Sequence, residues 1–145
     1  VCYLNGKTHL VVLPSDKLNL TYSVNYKHKD LKNRWVSLNR ENLDEVIEAR
    51  TFGYLNELEM LQKMGYGRGA SIENTLGLKD DDTYTSELKS EFEPVKHKIL
   101  DLIGDFYLAG CNVLNFKAEI IAKEAGHSVH VNVAKIMKDK IIMEA

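Results

Sequence analysis

Hydrophobic and polar positions along this chain change their spacing several times, and each change marks an element. Leu20, Tyr22, Val24 and Tyr26 alternate with Thr21, Ser23 and Asn25, the period of a strand with one buried and one wet face. Val1–Leu4 and His9–Leu13 share the Val/Leu/Tyr-rich composition of Leu18–Tyr26, and Asn5-Gly6 and Pro14-Ser15-Asp16 supply the turns between these three strands. Lys27–Asn33 reads as a basic, polar connection and Trp35–Leu38 as one more short strand. The period then lengthens. Asn39 is placed to cap a helix through Arg50, with Glu41 and Asp44 in its first turns and Leu43, Val46 and Ile47 facing inward. Gly53 breaks that run, and Tyr54–Met64 resumes it with Leu55, Leu58, Leu61 and Met64 on one side; core packing is expected for Leu61 and Met64. Gly65-Tyr66-Gly67-Arg68-Gly69 ends the helix, Thr75–Leu78 reads as a strand, and Asp80–Glu91 as an acidic surface loop. Pro94 suits the first turn of a helix that Gly110 is placed to stop. Cys111–Ala122 is strand-like, and Ser128–Lys138 forms a last helix.

This order predicts an α+β fold: a two-layer sandwich, with an antiparallel-rich sheet and helices packed on one face. Its 145 residues suffice for one domain, residues 1–145, with a sizeable core. At 44% hydrophobic and 28% charged residues, disorder is excluded as the main reading. A net charge of −2 argues against a broad nucleic-acid surface. No apolar run approaches the roughly 20 residues of a transmembrane segment, and Val1–Asn5 does not resemble a signal peptide. Cys2 and Cys111 have neither metal nor redox spacing and suit a reducing cytoplasm. The first residue is Val, and strand-like sequence starts at once, so a piece of a longer protein is expected.

The chemistry concentrates in His97-Lys98-Ile99-Leu100-Asp101-Leu102-Ile103-Gly104-Asp105. On a helix His97, Asp101 and Asp105 fall at i, i+4 and i+8, so their side chains share one stripe. An imidazole and a carboxylate one turn apart reach a single divalent ion, and a second carboxylate one turn on can orient another group of the site. The same pattern also fits a solvated polar face, since Val95, Ile99, Leu102, Ile103 and Phe106 gather opposite it. Gly104 weighs against plain solvation. Glycine inside a helix costs roughly 1 kcal/mol relative to alanine, and tolerating it on the polar face implies that backbone or substrate comes close.

Three segments in order, Ala49-Arg50-Thr51-Phe52-Gly53-Tyr54, Gly69-Ala70-Ser71-Ile72-Glu73-Asn74 and His97 through Asp105, carry a family resemblance. With the opening Asn5-Gly6-Lys7 through Leu13-Pro14-Ser15-Asp16, they make nearly the whole chain similar to the second half of the UDP-3-O-acyl-N-acetylglucosamine deacetylases, zinc amidases of lipid A biosynthesis in Gram-negative bacteria. The resemblance implies two similar α+β domains with the active site between them, this chain being the C-terminal one. It implies Zn2+ held by His97 and Asp101, with the third protein ligand and the general-base glutamate contributed by an N-terminal domain partner. It further implies His127, in Gly126-His127, as the general acid, Asp105 as the residue that orients it, Thr51 as an oxyanion stabiliser and Lys98 as a contact to the polar part of the UDP-3-O-acyl-N-acetylglucosamine substrate. Residues 52–78 correspond to a small βαβ-like insert that forms a hydrophobic passage for the fatty acyl chain. Leu55, Leu58 and Ile72 are its candidate lining, and Gly67, Ser71 and Thr75 are small enough to leave room.

Two departures accompany the resemblance. No His/Glu-bearing segment of the first-domain type occurs here, so the isolated chain is expected to bind zinc weakly and to lack turnover. Three residues after His127 the family commonly has Asn where this chain has His130, which sets a second His pair at i, i+3 as an alternative metal site. The competing reading is a non-catalytic binding or interaction domain that keeps the fold with an incomplete metal site.

Overall fold

The computed structural model describes residues 1–65, 69, 71 and 73–144, and of residues 141–144 the backbone alone. Strands β1 (Cys2–Asn5), β2 (Thr8–Pro14), β3 (Asn19–Val24), β4 (Arg34–Asn39) and β7 (Ala118–Lys123) form one sheet in the order β1-β2-β7-β3-β4. β3 and β7 run parallel, and the other three pairings are antiparallel. The expected α+β architecture is therefore present. Helices α2 (Glu93–Leu108) and α3 (His127–Glu144) complete it.

Strand alternation builds the core. Leu10 and Val12 of β2, Leu20, Tyr22 and Val24 of β3, and Ala118, Ile120 and Ala122 of β7 are buried in one cluster with Val95, Ile99, Leu102 and Phe106 of α2 and Val133 and Ala134 of α3. Burying each of the larger side chains contributes about 1.5–3 kcal/mol relative to exposure. Phe92 precedes α2 with φ 53°, under the Arg34 guanidinium 4.2 Å from its ring centroid, and Pro94 takes the first turn as its fixed φ allows. Gly110 follows the helix at φ 99°, the left-handed position that favours glycine.

The parallel pair decides where the chemistry lies. Register Leu20↔Ile120 and Tyr22↔Ala122 makes β3 and β7 end together, and the Glu124 amide donates to the Ser23 carbonyl at 2.9 Å. The chain leaving β7 thus turns over the end of β3 and enters α3 at His127.

The insert matches the βαβ-like expectation. β5 (Thr51–Tyr54) and β6 (Thr75–Leu78) pair in parallel, with α1 (Leu55–Lys63) between them in sequence.

Four local expectations need correction. The helix expected over Asn39–Arg50 is only a short 3-10 turn, Leu43–Val46. The Asn39 amide donates to Asn42 Oδ1, and Asn39 Oδ1 accepts from the Glu41 and Asn42 amides; these side-chain bonds replace helical ones. Leu43 and Val46 still enter the core, whereas Ile47 is exposed. The strand expected from Cys111 begins only at Ala118, because Asn112 Oδ1 accepts from the Leu114 amide and caps a 3-10 turn over Val113–Asn115. Residues 51–54 form β5 rather than a helix break. Leu61 and Met64 are exposed rather than core, since α1 rests on a two-stranded sheet and none of its residues is fully buried.

Among the described residues no helix is long and apolar enough to cross a membrane.

Candidate active site

The polar face of α2 is not a solvated one. His97, Asp101 and Asp105 are half-buried, and each is engaged by another part of the chain. His97 Nδ1 lies 3.0 Å from the Ala49 carbonyl oxygen. A carbonyl only accepts, so Nδ1 carries a proton, and Nε2 is the nitrogen that a neutral ring offers to an ion. That Nε2 faces Asp101 Oδ1 at 3.3 Å. The Phe52 ring meets the His97 ring edge-on, with centroids 6.4 Å apart. The segment Ala49–Phe52 thus holds the imidazole from two sides.

The carbonyl-bearing segment is itself anchored. The fully buried Glu93 accepts from the Arg50 amide at 2.9 Å, from Arg50 Nε at 2.8 Å and from the Lys89 amide at 2.7 Å. Arg50 also donates to Ser86 Oγ and the Glu87 carbonyl. Burial alone would raise the Glu93 pKa. The hydrogen bonds from Arg50 and Lys89, with the Arg50 charge, outweigh it and hold Glu93 below the ordinary carboxylate value.

At the other end of the stripe, Asp105 Oδ2 lies 2.6 Å from His127 Nδ1 and 2.9 Å from His130 Nδ1. His127 is 69% exposed at its side chain and His130 is fully buried, so one ring is open to a reactant and the other is structural. Nε2 of His127 points back toward Asp101, 4.0 Å from Oδ2. His130 Nε2 lies 2.9 Å from the Tyr22 hydroxyl, which also lies 2.8 Å from the Ala125 carbonyl oxygen. Burial pushes the His130 imidazole down toward the neutral form, opposed by Asp105, and pushes the Tyr22 phenol far up, so it stays protonated.

Lys98 lies on the same side. Burial lowers its pKa, Asp101 and Asp105 oppose that shift, and its Nζ sits 5.9 Å from the Tyr22 ring centroid. With Asn25, Tyr26 and Glu124 it lines a cleft of about 190 Å³ where β3 and β7 end.

Of the residues singled out from sequence, His97, Lys98, Asp101, Asp105 and His127 come together here. Thr51 is exposed at the start of β5, two residues from the carbonyl that holds His97. Leu55 and Leu58 are half-buried on α1, and Leu58 packs against Gly53. Ser71 is exposed and its hydroxyl accepts from the Asn74 amide; Thr75 is buried and donates to Asn74 Oδ1. Gly67 and Ile72 lie outside the described residues. Gly104 is exposed, and a Cβ built there meets nothing within 4 Å, so no described part of this chain requires glycine at that position.

Tyr22 and the Ala49 carbonyl are site components that the sequence does not single out, and His130, expected there in an alternative metal pair with His127, turns its Nδ1 to Asp105 instead. His130 was visible through its spacing to His127. Tyr22 carried only the signal of an inward-facing strand residue. Asp105, His127 and His130 also form a cluster with ligand atoms within 4.8 Å of one another. Both histidines turn Nδ1 to Asp105, a contact that orients rings and leaves those nitrogens no lone pair for an ion.

The donor set at the other end of the stripe fits zinc. Ligands about 2.0–2.1 Å from a tetrahedral ion stand about 3.3 Å from each other. His97 Nε2 and Asp101 Oδ1 have that separation, and Nε2 is the ring nitrogen that the Ala49 carbonyl leaves open.

A family profile described as UDP-3-O-acyl N-acetylglycosamine deacetylase matches residues 1–139. The UDP-3-O-acyl-N-acetylglucosamine deacetylase of Leptospira biflexa is 36% identical over 144 residues, 95% of this chain and 46% of the relative. That of Aquifex aeolicus is 40% identical over 128 residues, 88% of this chain and 44% of the relative. That of Thermosynechococcus vestitus is 32% identical over 136 residues, 93% of this chain and 47% of the relative. This chain belongs to the UDP-3-O-acyl-N-acetylglucosamine deacetylase family, and it spans about half the length of the curated relatives it matches.

Proposed function

We propose that this chain is the C-terminal domain of a zinc-dependent deacetylase of lipid A biosynthesis. The reaction is hydrolysis of the N-acetyl group of UDP-3-O-acyl-N-acetylglucosamine in the cytoplasm. The observation that carries this reading is His97 Nε2 facing the Asp101 carboxylate while Nδ1 is held by the Ala49 carbonyl, one turn from an Asp105–His127 pair.

His97 and Asp101 are the two ligands this chain offers, and the remaining ligand and general base come from the other half of the protein. Zinc held there would supply Lewis acidity toward the acetamide carbonyl and toward water. The chain's own residues do the rest. Asp105 holds His127 with Nδ1 protonated, so a proton placed on Nε2 is available to the departing amine nitrogen as its C–N bond breaks. Thr51 donates its hydroxyl to the carbonyl oxygen as negative charge develops. Lys98, in its cleft between the ends of β3 and β7, meets the polar part of the sugar nucleotide. Leu55, Leu58, Ser71 and Thr75 border the path of the acyl chain.

The test is a His127→Ala substitution in the intact protein, read as acetate release. A fall in kcat of about a hundred-fold or more with an unchanged unfolding transition is expected, in the range of a lost general acid. Unchanged turnover removes His127 from the mechanism.

A further inference from the structure

Asp105 orients His127, and what orients Asp105 lies deeper in the fold. Its Oδ2 faces the Nδ1 atoms of both His127 and the fully buried His130. The His130 amide donates to the Gly126 carbonyl within the first turn of α3, and its ring stands edge-on to that of Tyr22 with centroids 5.8 Å apart. Tyr22 is itself buried, midway along β3 between β7 and β4.

Counting protons fixes the direction of these bonds. A neutral imidazole has one N–H, and the Asp105 carboxylate can only accept, so the His130 proton sits on Nδ1. Nε2 is then an acceptor and takes the Tyr22 O–H, 2.9 Å away. That one hydroxyl proton is shared with the Ala125 carbonyl at 2.8 Å, two residues before His127. Tyr22 therefore fastens both the ring orientation of His130 and the backbone that leads into the His127 turn. No described buried side-chain polar atom is left without a partner in this arrangement.

We propose that Tyr22 and His130 form a buried hydrogen-bond relay that positions Asp105, and through it the Nδ1–H tautomer and ring orientation of His127. Neither residue touches the reacting atoms; both are positioning residues. The inference rests on the role proposed above for His127. Its physical content is an order of dependence. Without the Tyr22 hydroxyl, Nε2 of His130 has no donor; Asp105 still keeps the proton on Nδ1, but the ring loses the bond that fixes its tilt, and its Nδ1–H bond to Asp105 slackens. A carboxylate whose partner is less firmly held rotates more freely and holds His127 less firmly.

The experiment is selective 15N-histidine NMR and steady-state kinetics on the intact protein, comparing wild type with Tyr22→Phe and His130→Asn. Tyr22→Phe keeps the buried ring and removes one oxygen, so it remains informative should His130→Asn fail to fold. In the wild type both His127 and His130 should show the Nδ1–H tautomer. In Tyr22→Phe, His130 should keep Nδ1–H with its Nε2 resonance shifted, and His127 should move toward a tautomer mixture, with kcat about ten-fold lower and KM unchanged, the size of effect typical of residues that orient a catalytic group. An unaltered His127 tautomer in Tyr22→Phe, or an unaltered kcat in that variant, overturns the relay. If the intact wild type releases no acetate, the deacetylase reading fails, and the tautomer measurement still decides the relay by itself.

Discussion

The Ala49 carbonyl oxygen lies 3.0 Å from His97 Nδ1, and this contact selects which nitrogen of His97 is free. The two residues are 48 positions apart, on the segment entering β5 and on α2. A histidine on a helix face could present either nitrogen to a metal. Here the backbone takes Nδ1 and leaves Nε2 facing Asp101. Zinc added to the intact protein should therefore perturb the 15N resonance of His97 Nε2 and leave Nδ1 protonated. Deprotonation of Nδ1 on zinc binding would contradict this arrangement.

The Arg50–Glu93 pair underlies that geometry, because it fixes the residue after Ala49 to the start of α2. Glu93→Ala leaves a buried guanidinium without its carboxylate and should cost about 3–5 kcal/mol in urea unfolding. The pH dependence has a definite sign. Glu93 is held below its ordinary pKa of 4.5, so its contribution is present above that value and is lost as pH falls through the lower, folded pKa. Wild-type stability should fall on acidification below about pH 4.5, the ordinary Glu93 value. Glu93→Gln, less stable at neutral pH, should show a shallower acid loss over that range. Parallel acid profiles would exclude Glu93 as a source of the pH dependence.

Gly104 separates stability from function. It occupies an exposed helical position with open space where a Cβ would stand, so Gly104→Ala should stabilise the chain by roughly 1 kcal/mol through helix propensity. If substrate or the remaining half of the protein approaches this face, the same substitution should raise KM or lower kcat while raising the unfolding midpoint. A variant that gains stability and keeps full activity would show that glycine has no role there.

The stripe of α2 was legible because helical spacing is local: i, i+4 and i+8 are fixed by the backbone whatever surrounds it. The alternation of Leu20, Tyr22 and Val24 was legible for the same reason. The contacts that turn the stripe into a site span long stretches of chain. Tyr22 reaches Ala125 and His130 only because β3 and β7 pair in parallel across nearly a hundred residues, and strand spacing contains no record of its partner. Asn39 shows a different limit. As a helix cap and as a turn residue it uses the same side-chain oxygen, and Asn42 Oδ1, bonded to the Asn39 amide, decided for the turn. The exposed Leu61 and Met64 had the right period for a core and lacked the second layer to cover them.

Acetate release from UDP-3-O-acyl-N-acetylglucosamine, measured with zinc present, tests the central claim most directly. The intact protein should turn over, its His97→Ala variant should lose activity by orders of magnitude together with bound zinc, and the 145-residue chain alone should show no turnover. Hydrolysis by the 145-residue chain alone, or full activity in His97→Ala, would contradict the account.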